Sequence, residues 1–296
     1  MPRNRSVRRW SLVAVAVLTA VVVGVAVLVT RGGDGSPGAP QAGPTSTSAS
    51  TSPAPPTSAT PTSATPSAPA PSSAPTAGSS PGSSVPASLR GKDVTLIPTG
   101  SRVAALTFDA GADAVGLPSI LATLAAQHVH ATFFLTGRWA AADPSGIAAI
   151  RAGGHRIANH SMTHPQFTGL SDAAIRAQVL DAEQAISTAG ADPRPLFRFP
   201  FGDRDARTIA AVNGLGYICV RWTVDTLGWK GTSGGVTAEQ VADRAVAALQ
   251  PGEIVLMHIG SNPDDGTTLD ADALPRMIER MRAGGYDFVT LDALVG

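Results

Sequence analysis

From about residue 93 to the end of the chain, short apolar runs alternate with stretches of helical periodicity. Runs of strand length fall at 103–108, 131–135, 156–158, 196–199, 217–223, 253–257 and 288–291. Between them, apolar positions recur at helical spacing over 117–127, 145–152, 171–189, 206–215, 238–249 and 273–283. Ser171 caps the third of these with Leu170 before it as a staple residue, and Gly153-Gly154 closes the second. Strand followed by helix, repeated about seven times in roughly 200 residues, predicts an α/β fold with a parallel sheet, closed or nearly closed into a (β/α) barrel.

The pattern upstream is different. Residues 11–29 carry no charge and are built mainly of Val, Ala and Leu, a run long enough to cross hydrocarbon at about 1.5 Å per residue. Arg3, Arg5, Arg8 and Arg9 precede it and Arg31 follows, which predicts a cytoplasmic N-terminus and an extracytoplasmic remainder. The run exceeds a usual signal-peptide core and no Ala-x-Ala pattern follows it, so residues 11–30 are expected to be a retained transmembrane helix, with a cleaved signal peptide and secretion as the alternative. From 32 to about 88 the composition falls to Pro, Ser, Thr, Ala and Gly, with Asp34 the only charge. Such a stretch has nothing to bury against its chain entropy, and in extended polyproline form at ~3.1 Å per residue it reaches on the order of 170 Å. The expected plan is a cytoplasmic basic segment at 1–10, an anchor at 11–30, a disordered linker at 31–91 and one folded domain at 92–296.

Charge narrows the partners. The formal net charge is zero, yet from Asp93 onward 15 basic residues face 21 acidic ones, a net of −6, which argues against nucleic acid. Cys219, the single cysteine, lies in an apolar run and reads as a buried strand thiol.

The polar residues then fall at one end of the strands. Asp109, Asp113, His160, His164, Arg198, Asp225 and His258 each follow or end a successive apolar run, and in parallel α/β folds that rim is where sites are built. His160 and His164 stand four residues apart, close enough to share one divalent cation, and Pro165 disfavours helix at His164, which puts the pair at a strand-to-loop junction. A hydrolytic metal site needs imidazole and carboxylate ligands, a base for water and an acid for the leaving group. His160 and His164 suit the ligand role with one aspartate, a second aspartate suits the base, His258 suits the acid, and the donor set favours Zn²⁺.

Taken in order, these segments resemble polysaccharide deacetylases of carbohydrate esterase family 4, the NodB-homology group. The matching stretches are Thr107-Phe108-Asp109, His160-Ser161-Met162-Thr163-His164, Arg198-Phe199-Pro200-Phe201-Gly202, Asp225 to Trp229 and Leu256-Met257-His258. The resemblance implies a distorted (β/α) barrel that removes acetyl groups from acetylated polysaccharide. It implies Asp109 as the base, Arg198 as its partner and His258 as the acid. The backbone N–H of Phe201 would hold the oxyanion, and Trp229 with Leu256 would line the acetyl pocket. Two positions depart from the family pattern. Ala110 stands where a second Asp serves as third ligand, leaving Asp113 as a possible substitute or as a helix cap. Gly228 stands where an Asp holds the acid histidine, leaving Asp225 to make that contact. The anchor and linker favour cell-wall glycan, peptidoglycan above all, as the substrate. A secreted chitin or acetylxylan deacetylase and a wall-binding pseudoenzyme are the alternatives.

Overall fold

A computed structural model describes residues 85–295, and the expected anchor at 11–30 and nearly all of the expected linker lie outside them. The chain runs β1 (Val103–Ala110), α1 (Leu117–Ala126), β2 (Thr132–Leu135), α2 (Gly137–Ala142), α3 (Pro144–Ala152), β3 (Arg156–Asn159), α4 (Asp172–Thr188), β4 (Leu196–Phe197), α5 (Ala206–Gly214), β5 (Ile218–Cys219), β6 (Val224–Asp225), α6 (Ala238–Ala247), β7 (Glu253–His258), α7 (Leu269–Ala283) and β8 (Asp287–Phe288). Among the described residues no helix is long and apolar enough to cross a membrane. Ser171 caps α4 by accepting from the Ala174 N–H, as its sequence position predicts, and capping boxes at Asp205/Thr208 and Thr237/Gln240 start α5 and α6.

All the strand pairs are parallel, in the order β5-β4-β3-β2-β1-β7-β6, with β8 added beside the start of β1. Strands β5 and β6 lie at opposite ends of that order, yet only residues 220–223 separate them. At no more than about 3.6 Å per residue, so short a link requires the sheet to curl until its edges approach. The single run expected at 217–223 is a strand only at Ile218–Cys219, and a second strand follows it at Val224–Asp225. The first pairs with β4, and the chain then crosses the seam to pair with β7. Residues 94–97 lie along the seam, donating from Val94 to the Cys219 carbonyl and from Ile97 to the Gly252 carbonyl, and accepting from Arg221. Val85 and Leu89, in the stretch read as linker, are buried in the same apolar cluster.

Alternation along the strands sorts the side chains into layers. On β1 the positions Ala104, Leu106, Phe108 and Ala110 pack with α1 and α7 residues such as Ile120 and Met277, while Ala105 joins Phe134, Ala158, Leu196 and Ile254 on the other face. The period of two then assigns Asp109 to the inner face with Ala105, Arg198 with Leu196, and His258 with Ile254. The apolar pattern that buries the sheet thus also aims the polar groups inward.

Glu253 opens β7 fully buried, and neither carboxylate oxygen has a hydrogen-bond partner. Burial pushes its pKa up to about 7, with only the Gln250 backbone opposing. Because the folded state binds this proton more tightly than the unfolded chain, ionisation adds no cost below the ordinary pKa of 4.5 and increasingly destabilises the fold as pH rises toward 7. At about 1.4 kcal/mol per unit the cost approaches ~3 kcal/mol above neutrality. Glu253→Gln should accordingly raise the melting temperature at pH 8 and leave it nearly unchanged at pH 4.5. An equal shift at both would show that ionisation is not the cause.

Candidate active site

Strand register brings the first two groups together. Asp109 pairs with His258 across β1 and β7, so carboxylate and imidazole leave adjacent strands at one level, roughly 4.8 Å apart at the backbone. Asn159 pairs with Phe197 across β3 and β4, which sets His160 and Arg198 one residue beyond, at the same rim.

Arg198 lies inside the barrel with no exposed surface. Its Nη1 donates to Asp109 Oδ1 at 2.7 Å, its Nη2 donates to the Arg221 carbonyl at 2.8 Å, and its Cζ sits 4.0 Å from the Phe134 ring centre. Burial raises the Asp109 pKa, but Arg198 and then His160 and His258 oppose it, and the net result holds Asp109 below the usual carboxylate range. The base position is therefore ionised at neutral pH in a nearly dry setting.

His160 is fixed by the same arginine. Its Nδ1 lies 2.9 Å from the Arg198 carbonyl, and burial depresses its pKa to about 4. In a neutral ring the nitrogen beside a carbonyl carries the proton, which leaves a lone pair on Nε2. That nitrogen stands 3.4 Å from Asp109 Oδ2. Two acceptors facing each other repel, and a divalent cation bound at the Nε2 lone pair would offset that repulsion by its charge while leaving Asp109 free to act as a base. The His164 ring lies edge-on to His160 with centroids 4.8 Å apart, and burial lowers its pKa as well. Two neutral imidazoles are nitrogen donors of the kind such an ion takes, and the ionised carboxylate beside them adds favourable charge.

The loop carrying the histidines is clamped. Asn159 Oδ1 accepts from the Ser161 N–H, while its Nδ2 donates to the Val179 carbonyl. Gln178 Oε1 on α4 accepts from the N–H groups of Met162 and Thr163. Among the described residues, four of the five non-glycine residues with positive φ surround this rim: Ser161, His164, Phe201 and Leu227. Each such residue costs of order 1–3 kcal/mol and persists only where its surroundings enforce it. Asn159 and Gln178 went unnoticed in the sequence because a polar residue ending an apolar strand and a glutamine on a helix carry no distinctive spacing.

On the other side, His258 is held from α7. Asp270 Oδ2 accepts the His258 backbone N–H at 2.9 Å and lies 3.5 Å from Nδ1, long for a hydrogen bond. Thr226 Oγ1 donates to Asp270 Oδ1 at 2.6 Å. Burial lowers the His258 pKa, but Asp270 above all, with Asp109 and Asp225, reverses the shift and leaves it raised. Asp225, expected to hold His258, instead accepts from the Leu227 N–H at 2.9 Å and from Trp229 Nε1 at 3.4 Å, and the contact falls to Asp270. Helix α7 begins a turn before the expected residue 273, which is why Asp270 escaped the sequence reading.

Asp113 accepts from Ser261 N and Oγ at 2.8 and 3.1 Å and from the Val115 N–H at 3.0 Å, so its carboxylate is bound to the β7–α7 loop. Among the described residues no three His, Cys, Asp or Glu side chains gather closely enough to enclose a metal. Phe201 and Trp229 are 66 % and 48 % exposed, whereas Leu256 is buried. The Phe201 ring lies 4.5 Å from His164, centroid to centroid. A cavity of about 330 Å³ adjoins His164, lined by Gly111, Thr136, Arg138, Trp139 and Thr163.

Comparison with known proteins agrees with this geometry. Residues 97–220 match the family model described as polysaccharide deacetylase. A chitooligosaccharide deacetylase of Sinorhizobium fredii is 34 % identical over 197 residues, covering 64 % of this chain and 89 % of its own. A peptidoglycan-N-acetylglucosamine deacetylase of Bacillus cereus is 31 % identical over 190 residues, covering 64 % and 67 % respectively. Among solved structures, BA3943 from Bacillus anthracis, described as a CE4 family pseudoenzyme, superposes with a TM-score of 0.63 at 27 % identity over 70 % of each chain.

The buried pair yields a stability test. Arg198→Met leaves the Asp109 carboxylate inside the barrel without its guanidinium and should cost about 3–5 kcal/mol in denaturant unfolding. Adding Asp109→Asn should restore much of that loss, because the stranded charge is gone. If the two losses simply add, the ion pair is not what these side chains contribute.

Proposed function

The chain belongs to the polysaccharide deacetylases of carbohydrate esterase family 4, hydrolases of N-acetyl groups on carbohydrates, and from that premise we propose that it deacetylates N-acetylated sugars of cell-wall glycan, peptidoglycan foremost, with a divalent cation, most simply Zn²⁺. The observation that carries this reading is the pairing of Asp109 with His258 at one level of the rim, a carboxylate held ionised and an imidazole held toward its charged form. The likeness to a peptidoglycan-N-acetylglucosamine deacetylase and a chitooligosaccharide deacetylase supports the substrate class.

His160 and His164 would hold the cation, which when bound supplies Lewis acidity toward the acetyl carbonyl and toward water. The protein's own groups then divide the proton transfers. Asp109 takes a proton from the attacking water, and Arg198 keeps that carboxylate oriented and charged until it does. As the C–N bond breaks, His258 gives its proton to the departing amine, leaving acetate and a free amino sugar. The backbone N–H of Phe201, at a residue with φ 58°, donates to the carbonyl oxygen as it gains charge. Trp229 covers the acetyl methyl with Leu256 beneath it, and Asp225 braces the Trp229 ring.

We further infer that residues 11–30 anchor the domain to the membrane and that the Pro/Ser/Thr stretch lets it reach across the wall. Full-length protein should then fractionate with membranes and release its domain on mild external proteolysis. Mature protein in the medium beginning after residue 30 would contradict anchoring.

Acetate release and new free amine, measured on peptidoglycan and on N-acetylglucosamine oligomers with and without chelator, test the reaction itself. His160→Ala and His164→Ala should each abolish stoichiometric Zn²⁺ binding with the far-UV spectrum unchanged, since losing one ligand of so few is severe. Asp109→Asn should keep the metal and lose turnover by about 10²-fold or more. Wild-type protein that binds these glycans and metal but releases no acetate would make it a glycan-binding pseudoenzyme.

A further inference from the structure

We infer that Asp270, on the first turn of α7, is the positioning residue for His258, and that Gly228 is glycine so that the Asp270 carboxylate can occupy its side-chain space. The inference rests on the deacetylase reading. Three contacts fix the carboxylate: Oδ1 accepts from Thr226 Oγ1 at 2.6 Å, Oδ2 accepts from the His258 backbone N–H at 2.9 Å, and the same Oδ2 stands 3.5 Å from His258 Nδ1. Asp270 is 3 % exposed. Its only ion-pair partner within 4.0 Å among the described residues is His258. A carboxylate that dry is costly without a positive partner. His258 Nδ1 in turn is buried without a hydrogen-bond partner, and a small approach to Asp270 Oδ2, 3.5 Å away, would supply one. Each group therefore satisfies a requirement of the other. A proton on Nδ1 faces Asp270, which leaves Nε2 as the nitrogen that exchanges a proton with the leaving group.

Gly228 supplies the second, independent observation. A Cβ built there would lie 2.3 Å from Asp270 Oδ1 and 2.5 Å from its Cγ. Those distances are far inside van der Waals contact, so any side chain at 228 would collide with the carboxylate. The backbone does not demand glycine at this position, because Gly228 is absent from the residues with positive φ. Space for Asp270 is what the missing side chain provides. The two positions are consequently coupled, and a carboxylate on 228 should be able to take over once Asp270 is gone.

The test uses the full-length chain with its metal and two substrates, an N-acetylated oligosaccharide and an activated aryl acetate whose leaving group needs little protonation. Asp270→Asn, nearly the same size, should lower kcat on the amide by about 10²-fold with KM changed less than about twofold, and lower aryl acetate hydrolysis by less than about threefold. Gly228→Asp alone should impair both folding and turnover through collision. The double variant Gly228→Asp/Asp270→Ala should recover amide kcat at least about tenfold over Asp270→Ala, since interaction between touching sites shows as non-additivity. A purely structural role for Asp270 predicts equal losses on both substrates and no recovery, and either result would overturn the inference while leaving the deacetylase reading intact. Wild-type protein that releases acetate from neither substrate would overturn that reading and this inference with it.

Discussion

The ion pair between Arg198 and Asp109 is the constraint to which the site is tied. A guanidinium with no exposed surface, stacked near the Phe134 ring, is tolerable because its charge is paired with Asp109 and each terminal nitrogen donates one hydrogen bond, although Nε has no partner. Through its side chain it fixes the Asp109 carboxylate, and through its backbone carbonyl it fixes the tautomer of His160. One residue thus sets both the state of the base and the direction of a ligand lone pair. The opposite side repeats the device, with Asp270 in the role of the fixed, buried group and His258 as the group it orients.

These contacts exist because the sheet is parallel and curled. Equal strand direction places every C-terminal end on one rim, and alternation turns Asp109, Arg198 and His258 to the inner face while their neighbours enter the outer core. The curl depends on the crossing at residues 220–223, where one extended segment serves both edges of the sheet. Arg221 lies on that crossing, and its carbonyl accepts from Arg198 Nη2. The curl of the sheet and the anchoring of the buried arginine are therefore joined at one point.

How much of this the sequence revealed depends on whether a feature is local. The strands at 103–108 and 131–135 and the capped α4 were legible, because apolar runs and a serine cap act over a few residues. The end of the expected 217–223 strand at Cys219 was not, since the next pairing, of Val224–Asp225 with β7, belongs to the other edge of the sheet and nothing local in the sequence marks the change of partner. The short α2 between β2 and α3 also escaped, being too brief to show a period. At the rim, Asp109, His160, His164, Arg198 and His258 declared themselves by residue type at strand ends. Asp270 did not, because the helical spacing over 273–283 starts α7 a turn late, whereas the helix begins at Leu269. The burial of Val85 and Leu89 was hidden by the Pro- and Ser-rich composition around them.

The division of labour between a base held ionised at rest and an acid held toward its protonated form decides where pH matters. His258 has its pKa raised, chiefly by Asp270 acting against burial, and it is needed as an acid only when the leaving group is poor. The dependence of kcat/KM on pH, measured side by side on an N-acetylated oligosaccharide and an activated aryl acetate, therefore isolates its role. The amide rate should fall as pH rises through a single ionisation above the ordinary histidine value of about 6.5, while the aryl acetate rate shows no such fall. The same alkaline decline on both substrates, or none on the amide, would contradict the assignment of His258 as the acid.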